Sequence, residues 1–198
     1  MTRTLLIDYH LDGRIKDIIG SAGENLLYVS SKLAEIEEFF RLFPRHHKAY
    51  IGSGDNTPHH RSLIRHADAI IFGSGNITSL SLEMKREGLW KEFLAKTNES
   101  DILLAGRSAG AIYLGKLYPS KGSDLILNIG LGVLDKTIVM VHLEEQVQQQ
   151  LHHACYAHRA IAGIGLSSST GLYVKHKSLE KIGSNEVRVY EEGKLQIL

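Results

Sequence analysis

Apolar and polar positions follow two patterns along the chain. Short continuous runs of Leu, Ile and Val are typical of buried strands, whereas apolar residues spaced three and four apart indicate helices with one buried face. The first pattern predicts strands at 4–7, 25–30, 48–52, 68–76, 101–106, 137–142, 163–166 and 171–176, and a C-terminal hairpin around Glu192-Gly193. The second predicts helices at 32–43, 59–67, 79–97 with an interruption at Gly88, a helix start at 108–115, and a helix at 143–162.

Strands that alternate with helices indicate a mostly parallel sheet covered on both faces. We therefore expect a three-layer α/β/α fold that forms a single domain over residues 1–198, with antiparallel strands near the C-terminus. Ligand chemistry in such sheets collects at the carboxyl ends of the strands. Three glycine-rich or polar strand ends qualify, at 73–76, 106–110 and 142–145.

The composition of the chain disfavours nucleic acid and membranes as partners. The formal net charge of the 198 residues is +1, so no global field favours nucleic acid or an anionic membrane. The single cysteine, Cys155, excludes an internal disulfide, and no segment approaches the roughly 18 apolar residues of a membrane span. The segment GSGNIT lacks the third glycine of a dinucleotide site. We expect a cytoplasmic protein with no metal and no cofactor.

The segment Gly106-Arg107-Ser108-Ala109-Gly110 fits the G-x-S-x-G pattern at a predicted junction of strand and helix. That context is the one in which a serine nucleophile stands on a tight turn, above the free N–H groups of a helix start. The alternative is a glycine-rich turn in which the serine caps the helix.

Two other strand ends carry groups that a nucleophilic serine needs. FGSGN, residues 72–76, offers backbone N–H groups for an oxyanion hole together with Ala109, or else forms a simple turn with an Asn cap. His142 ends the strand TIVMV downstream of the serine, as a general base on a neighbouring strand would. It is alternatively a polar residue at a strand end.

These segments resemble the peptidase E family of serine peptidases, which includes aspartyl dipeptidase E and cyanophycinase and shares its fold with class I glutamine amidotransferases. Four blocks occur in the family's order and span about residues 69–174. The blocks are AIIFGSGNITSL (69–80), LLAGRSAGAIYLG (103–115), GLGVLDKTIVMVH (130–142) and IAGIGLSSSTGLYV (161–174).

The resemblance implies a role for each matching residue. Ser108 is the expected nucleophile, His142 the general base, and Gly75 and Ala109 the donors of the oxyanion hole. Two family positions are candidates for the acid of the triad. One corresponds to Asp124, and the other is a glutamate that this chain replaces within Ser167-Ser168-Ser169. We therefore predict Asp124 as the acid.

The segment after His142 departs from the family, because LEEQVQQQ stands where many relatives carry arginines. Arginines there would pair with an acidic substrate, so a preference for N-terminal aspartate is not expected. The candidate substrate-binding residues are Asn76, Arg107 and Glu144. Glu144 either attracts a substrate amine or caps the following helix, and Arg107 either contributes to the site or points to solvent.

The leading hypothesis is a serine hydrolase that cleaves a small peptide or amide through an acyl-enzyme. The alternative is a weak or inactive family member that binds a ligand or partner, since the family's glutamate is absent. An α/β-hydrolase esterase is disfavoured because the chain is short and the GIGLSSSTGLYV block has no place in that fold. The oligomeric state stays open, with a homodimer among the possibilities.

Overall fold

The computed structural model describes residues 2–10, 12–30, 32–52, 57–86, 88–99, 101–120, 123–158, 161–176 and 178–198. For Thr57, Arg86, Glu99, Ser120 and residues 123–126 it describes the backbone only. The strands are β1 (Arg3–Ile7), β2 (Asn25–Val29), β3 (His47–Ile51), β4 (Ala69–Phe72), β5 (Leu103–Arg107), β6 (Gly115–Ser120), β7 (Ser123–Ile129), β8 (Leu134–Val141), β9 (Ala162–Leu166), β10 (Gly171–Lys175), β11 (Ser178–Ile182), β12 (Val187–Glu191) and β13 (Lys194–Ile197). The helices are α1 (Gly13–Gly20), α2 (Leu33–Leu42), α3 (Thr57–His66), α4 (Ile77–Arg86), α5 (Leu89–Glu99), α6 (Ala109–Leu114) and α7 (Glu145–Ala157).

The strands form two sheets with parallel centres. The order in the seven-stranded sheet is β11-β10-β1-β5-β4-β2-β3, where β1 to β5 pair in parallel and the two C-terminal strands are antiparallel. The order in the six-stranded sheet is β13-β12-β9-β8-β6-β7, where only the β9-β8-β6 pairs are parallel. The predicted mixed α/β class with antiparallel C-terminal strands is confirmed, and the strands are divided between two sheets.

The apolar faces of these elements fix the layers. Helices α1 and α2 cover one face of the seven-stranded sheet with residues such as Ile15 and Phe39. The opposite face shares one core with α3 to α6 and with the six-stranded sheet, because Phe72, Val139 and Leu166 belong to the same buried cluster. Helix α7 covers the remaining face of the six-stranded sheet.

Most predicted elements occur close to their predicted positions. The interruption at Gly88 is present, because this glycine has φ of 68° and separates α4 from α5. The prediction missed α1, the β6–β7 hairpin and β11. Helix α1 has only three buried apolar residues, and its N-terminus is stabilised by Asp12, whose side chain accepts a hydrogen bond from the Ile15 N–H at 2.9 Å.

The two sheets bring several strand ends together. The register between β1 and β5 pairs Ile7 with Arg107, so the residues after these two strands are neighbours. Helix α6 begins directly after β5 and contacts β8, which ends at Val141 in the other sheet. None of the described helices combines the length and apolar character needed to cross a bilayer.

Candidate active site

Ser108 lies in a sharp turn between β5 and α6. Its backbone has φ of 52° and ψ of −112°, a conformation that side-chain-bearing residues rarely adopt. The glycines on either side are required because a side chain at these positions would clash with the backbone. A Cβ on Gly106 would lie 2.5 Å from the Ala111 nitrogen, and one on Gly110 would lie 2.2 Å from the Phe72 carbonyl oxygen. Although Ser108 occupies the N-cap position of α6, its side chain makes no capping hydrogen bond.

The hydroxyl of Ser108 faces the imidazole of His142, which follows β8. The distance from Ser108 Oγ to His142 Nε2 is 3.1 Å, and His142 also has a positive φ of 54°. The other ring nitrogen, Nδ1, lies 2.8 Å from an oxygen of Asp8. A proton on Nδ1 satisfies that carboxylate and leaves the lone pair of Nε2 to accept the serine hydroxyl proton.

Asp8, directly after β1, is the residue of this candidate site that the sequence analysis missed. Its side chain is 2% exposed. Besides the imidazole, Asp8 Oδ1 accepts the backbone N–H of His142 at 2.8 Å, and Oδ2 accepts that of Ser169 at 3.2 Å. The Ser108 N–H donates to the Ile7 carbonyl at 2.9 Å, which fixes the nucleophile beside the strand that carries this acid.

Asp124, the predicted acid, belongs to β7 at the edge of the six-stranded sheet, two strands from β8. Its side chain lies outside the described residues. The nitrogen of His142 that it was expected to contact is in contact with Asp8. Where the family's glutamate is absent, Ser169 adopts φ of 59° and offers its backbone N–H to Asp8.

The predicted oxyanion donors lie in adjoining segments. Gly75 has φ of 132°, which favours glycine, in the loop between β4 and α4. Ala109 is the first residue of α6, so its N–H has no partner within the helix. The Gly110 N–H donates to the Gly73 carbonyl at 3.1 Å and joins the two segments. Ala109, Gly73 and Ser74 line one small cleft.

Asn76 and Glu144, two predicted substrate-binding residues, are exposed at helix starts. Asn76 Oδ1 accepts the backbone N–H of Ser79 at 3.0 Å, so this side chain caps α4. Glu144 precedes α7, but its side chain makes no capping hydrogen bond. Its backbone N–H donates to the His142 carbonyl at 2.7 Å, which ties the start of α7 to the backbone of His142.

Arg107, the third such residue, points neither to solvent nor freely into the site. It is 5% exposed, its Nε donates to the Tyr9 carbonyl at 2.6 Å, and its Nη1 donates to Glu38 at 3.1 Å. The guanidinium also lies 4.6 Å from the centre of the Tyr9 ring. Burial alone would lower the pKa of Arg107, but its pairing with Glu38 outweighs burial and raises that pKa. The charged arginine thus holds the residue that follows Asp8.

Comparisons with known proteins show the family and the fold. The family model described as "Peptidase family S51" matches residues 8–182. A solved structure of a peptidase from an acI-B1 Actinobacterium is similar, with a TM-score of 0.79 and 17% identity over 100% of this chain and 94% of that chain. A protein described as peptidase E from Listeria monocytogenes EGD-e has a TM-score of 0.70 and 16% identity over 93% of this chain and 100% of that chain.

At these identities the two solved structures show the shared fold, and the family model shows the family. No curated protein matched the chain. The matched range begins at Asp8 and includes Ser108 and His142. The chain therefore belongs to peptidase family S51.

Proposed function

We propose that this protein is a serine hydrolase that cleaves a small peptide or amide through an acyl-enzyme. Ser108 is the nucleophile, His142 is the general base and then the general acid, and Asp8 is the acid of the triad. This assigns to Asp8 the role that the sequence predicted for Asp124. Gly75 and Ala109 are the proposed oxyanion donors.

One observation carries the proposal, which is the continuous contact from Ser108 through His142 to Asp8. The separations are 3.1 Å and 2.8 Å, both within hydrogen-bond reach. The hydroxyl of Ser108 does not cap its helix, although serine there readily would. A purely structural turn requires neither this orientation nor a backbone φ of 52°.

The reaction follows from these contacts. Ser108 Oγ attacks the substrate carbonyl carbon while its proton passes to Nε2 of His142, and the carbonyl oxygen becomes an oxyanion. The carboxylate of Asp8 stabilises the imidazolium and keeps the ring oriented. When the C–N bond breaks, the amine leaves with the proton from Nε2. Water then gives one proton to Nε2 as its oxygen attacks the ester carbonyl carbon. When the bond to Ser108 Oγ breaks, Nε2 returns that proton to Oγ, which regenerates Ser108 and releases the acid product.

The oxyanion needs donors that are in place before the reaction. The N–H of Ala109 at the start of α6 is one such donor, and the positive end of the helix adds to its effect. The N–H of Gly75 is the proposed second donor, on the loop that Gly110 joins to the elbow through the Gly73 carbonyl at 3.1 Å.

Two exposed residues in the segments that follow β4 and β8 are the proposed substrate contacts. We propose that Glu144, exposed and two residues from His142, attracts the amine of a short peptide. Asn76 caps α4 through Oδ1, which leaves its amide N–H₂ as the group that would contact substrate. Arg107 is proposed to act through Tyr9 rather than on substrate, because its guanidinium is already engaged.

The alternative of an inactive binding protein rested on the absence of the family's glutamate and on the altered segment after His142. The contact between Asp8 and His142 weakens that argument, since a buried carboxylate occupies the required position. No observation in the described residues favours the alternative specifically.

A fluorophosphonate probe tests the proposal. We expect a single adduct on Ser108 by mass spectrometry of the digested protein, and no adduct in Ser108→Ala. The control is Ser168→Ala, a serine in the exposed loop between β9 and β10, which should label as wild type does. Folded wild-type protein that gains no adduct on Ser108 would contradict the proposed function.

A further inference from the structure

A second carboxylate, that of Glu35, is half-buried and lies outside the proposed triad, against the loop that carries Gly75. Glu35 is in the first turn of α2, and its side chain is 12% exposed. It accepts the Ser74 backbone N–H at 3.1 Å and also the Ser74 hydroxyl. The hydroxyl groups of Ser30 and Tyr28 lie 3.3 Å and 3.4 Å from the same carboxylate.

This carboxylate is charged. Lys32 Nζ lies 3.4 Å from Glu35 and 3.3 Å from the Ser74 hydroxyl oxygen. Burial alone would raise the pKa of Glu35, but the hydrogen bonds from Ser74 and the charge of Lys32 outweigh burial and lower that pKa. An ionised carboxylate therefore accepts the Ser74 N–H, and charge-assisted hydrogen bonds of this kind are stronger than neutral ones.

The loop is held from two sides. On one side Glu35 packs so closely against Gly73 that a Cβ there would lie 2.9 Å from Glu35 Oε2. On the other side the Gly73 carbonyl accepts the Gly110 N–H, which belongs to the first turn of the elbow helix. Gly73 and Ser74, which make these contacts, directly precede Gly75. The φ of 132° at Gly75 sets the direction of the backbone toward Asn76.

We propose that Glu35 is a positioning residue that fixes the Gly73–Asn76 loop relative to Ser108, so that the Gly75 N–H meets the oxyanion. Glu35 itself touches no reacting atom. The inference rests on the proposed function, because it assigns the oxyanion role to Gly75. It predicts that loosening the loop slows the chemical step without weakening the binding of substrate.

The variant Glu35→Gln tests the inference, with Glu37→Gln as a matched control because Glu37 is exposed on the same helix. With p-nitrophenyl acetate we expect kcat of Glu35→Gln to fall about 10-fold, less than the loss of a whole oxyanion donor, while KM changes less than about 2-fold. Glu37→Gln should keep both wild-type constants. A folded Glu35→Gln with the kcat of Glu37→Gln, or with a raised KM alone, would overturn the inference.

A gentler variant covers the case in which Glu35→Gln does not fold. Ser74→Ala removes one of the two hydrogen bonds from Ser74 and keeps the backbone N–H, so we expect kcat to fall about 3-fold with KM unchanged. Unchanged kcat in Ser74→Ala, where only that variant folds, contradicts the inference.

Amide hydrogen exchange separates failure of this inference from failure of the proposed function. In Glu35→Gln, or in Ser74→Ala if only that variant folds, the N–H of residue 74 should exchange at least about 10-fold faster than in wild type, because its acceptor is weakened or its attachment loosened. Equal exchange would overturn the positioning role even in a protein without hydrolase activity. Wild type that neither turns over p-nitrophenyl acetate nor gains a fluorophosphonate adduct on Ser108, with faster exchange in the variant, would reject only the proposed function.

Discussion

At the scale of single residues, the orientation of the Asp8 carboxylate is fixed by the N–H groups that donate hydrogen bonds to it. Three N–H groups approach it, two from His142 and one from Ser169, and each oxygen has at least one partner. A carboxylate held in this way has little rotational freedom, so it orients the imidazole as well as stabilising its charge. The backbone N–H of Ser169 takes part even though its side chain does not.

Cys155 gives a prediction at the same scale. Burial raises the pKa of its thiol to about 11, and its sulfur packs where a Cβ on Gly163 would lie only 2.4 Å away. Since the thiolate is the nucleophile, the thiol should stay unreactive at neutral pH and react only as the pH rises toward that pKa or as the protein unfolds.

Iodoacetamide labelling measured by mass spectrometry checks this. We expect no modification of native protein at pH 7 within a time that fully modifies protein in urea. Rapid labelling of the native protein at pH 7 would contradict the burial of this thiol and would make Cys155 a second candidate nucleophile.

At the scale of elements, the β5–α6 turn stores backbone strain at the proposed nucleophile. Ser108→Gly and Ser108→Ala both lose the hydroxyl that contacts His142, so they differ mainly in the cost of a Cβ at φ of 52°. We expect Ser108→Gly to be more stable than Ser108→Ala by about 1 kcal/mol, because relieved strain exceeds the entropy cost of glycine.

Urea unfolding of the two variants measures this difference, and both should be inactive. If Ser108→Ala is at least as stable as Ser108→Gly, the turn relaxes when the hydroxyl is removed. That result would contradict a strained conformation imposed by the neighbouring residues.

How much of the site could be predicted depended on whether each residue lies in a recognisable local pattern of its element. Ser108 and His142 stood out because each ends a strand within a recognisable local pattern. Asp8 also follows an apolar run, TLLI, so the rule of strand ends applied to β1 makes it a candidate without naming its partner. It was missed because its partner His142 is 134 residues away and belongs to the other sheet. No local pattern reports such a contact.

Helix α1 and β11 were missed for a different reason. The apolar face of α1 is only three residues wide, and β11 is exposed at four of its five positions. Their structure depends on neighbours more than on their own periodicity. By contrast, β4 and β5 are buried at every position and were predicted near their observed bounds.

At the scale of the whole molecule, the candidate site lies where the two sheets meet. Asp8 and Ser108 follow strands of the seven-stranded sheet, and His142 follows a strand of the six-stranded sheet. The shared core around α6 joins the sheets, so the triad geometry requires that this core be packed.

Hydrogen exchange tests this arrangement of strands. The amides of β4 and β5 should be among the slowest to exchange, since both strands are central and fully buried. Those of β13, an exposed edge strand, should exchange fast. Slow exchange in β13 would contradict an open edge.

We infer that Asp8, rather than Asp124, completes the proposed triad with Ser108 and His142. The most direct measurement compares the rates at which a fluorophosphonate labels Ser108 in Asp8→Asn and in Asp124→Asn, with folding checked by circular dichroism. We predict a loss of about 10³–10⁴-fold for Asp8→Asn, because an amide that donates to Nδ1 selects the tautomer with the proton on Nε2 and a neutral side chain no longer stabilises the imidazolium. Asp124→Asn should stay within about 2-fold of wild type. Folded variants with the opposite order of rates would contradict the assignment.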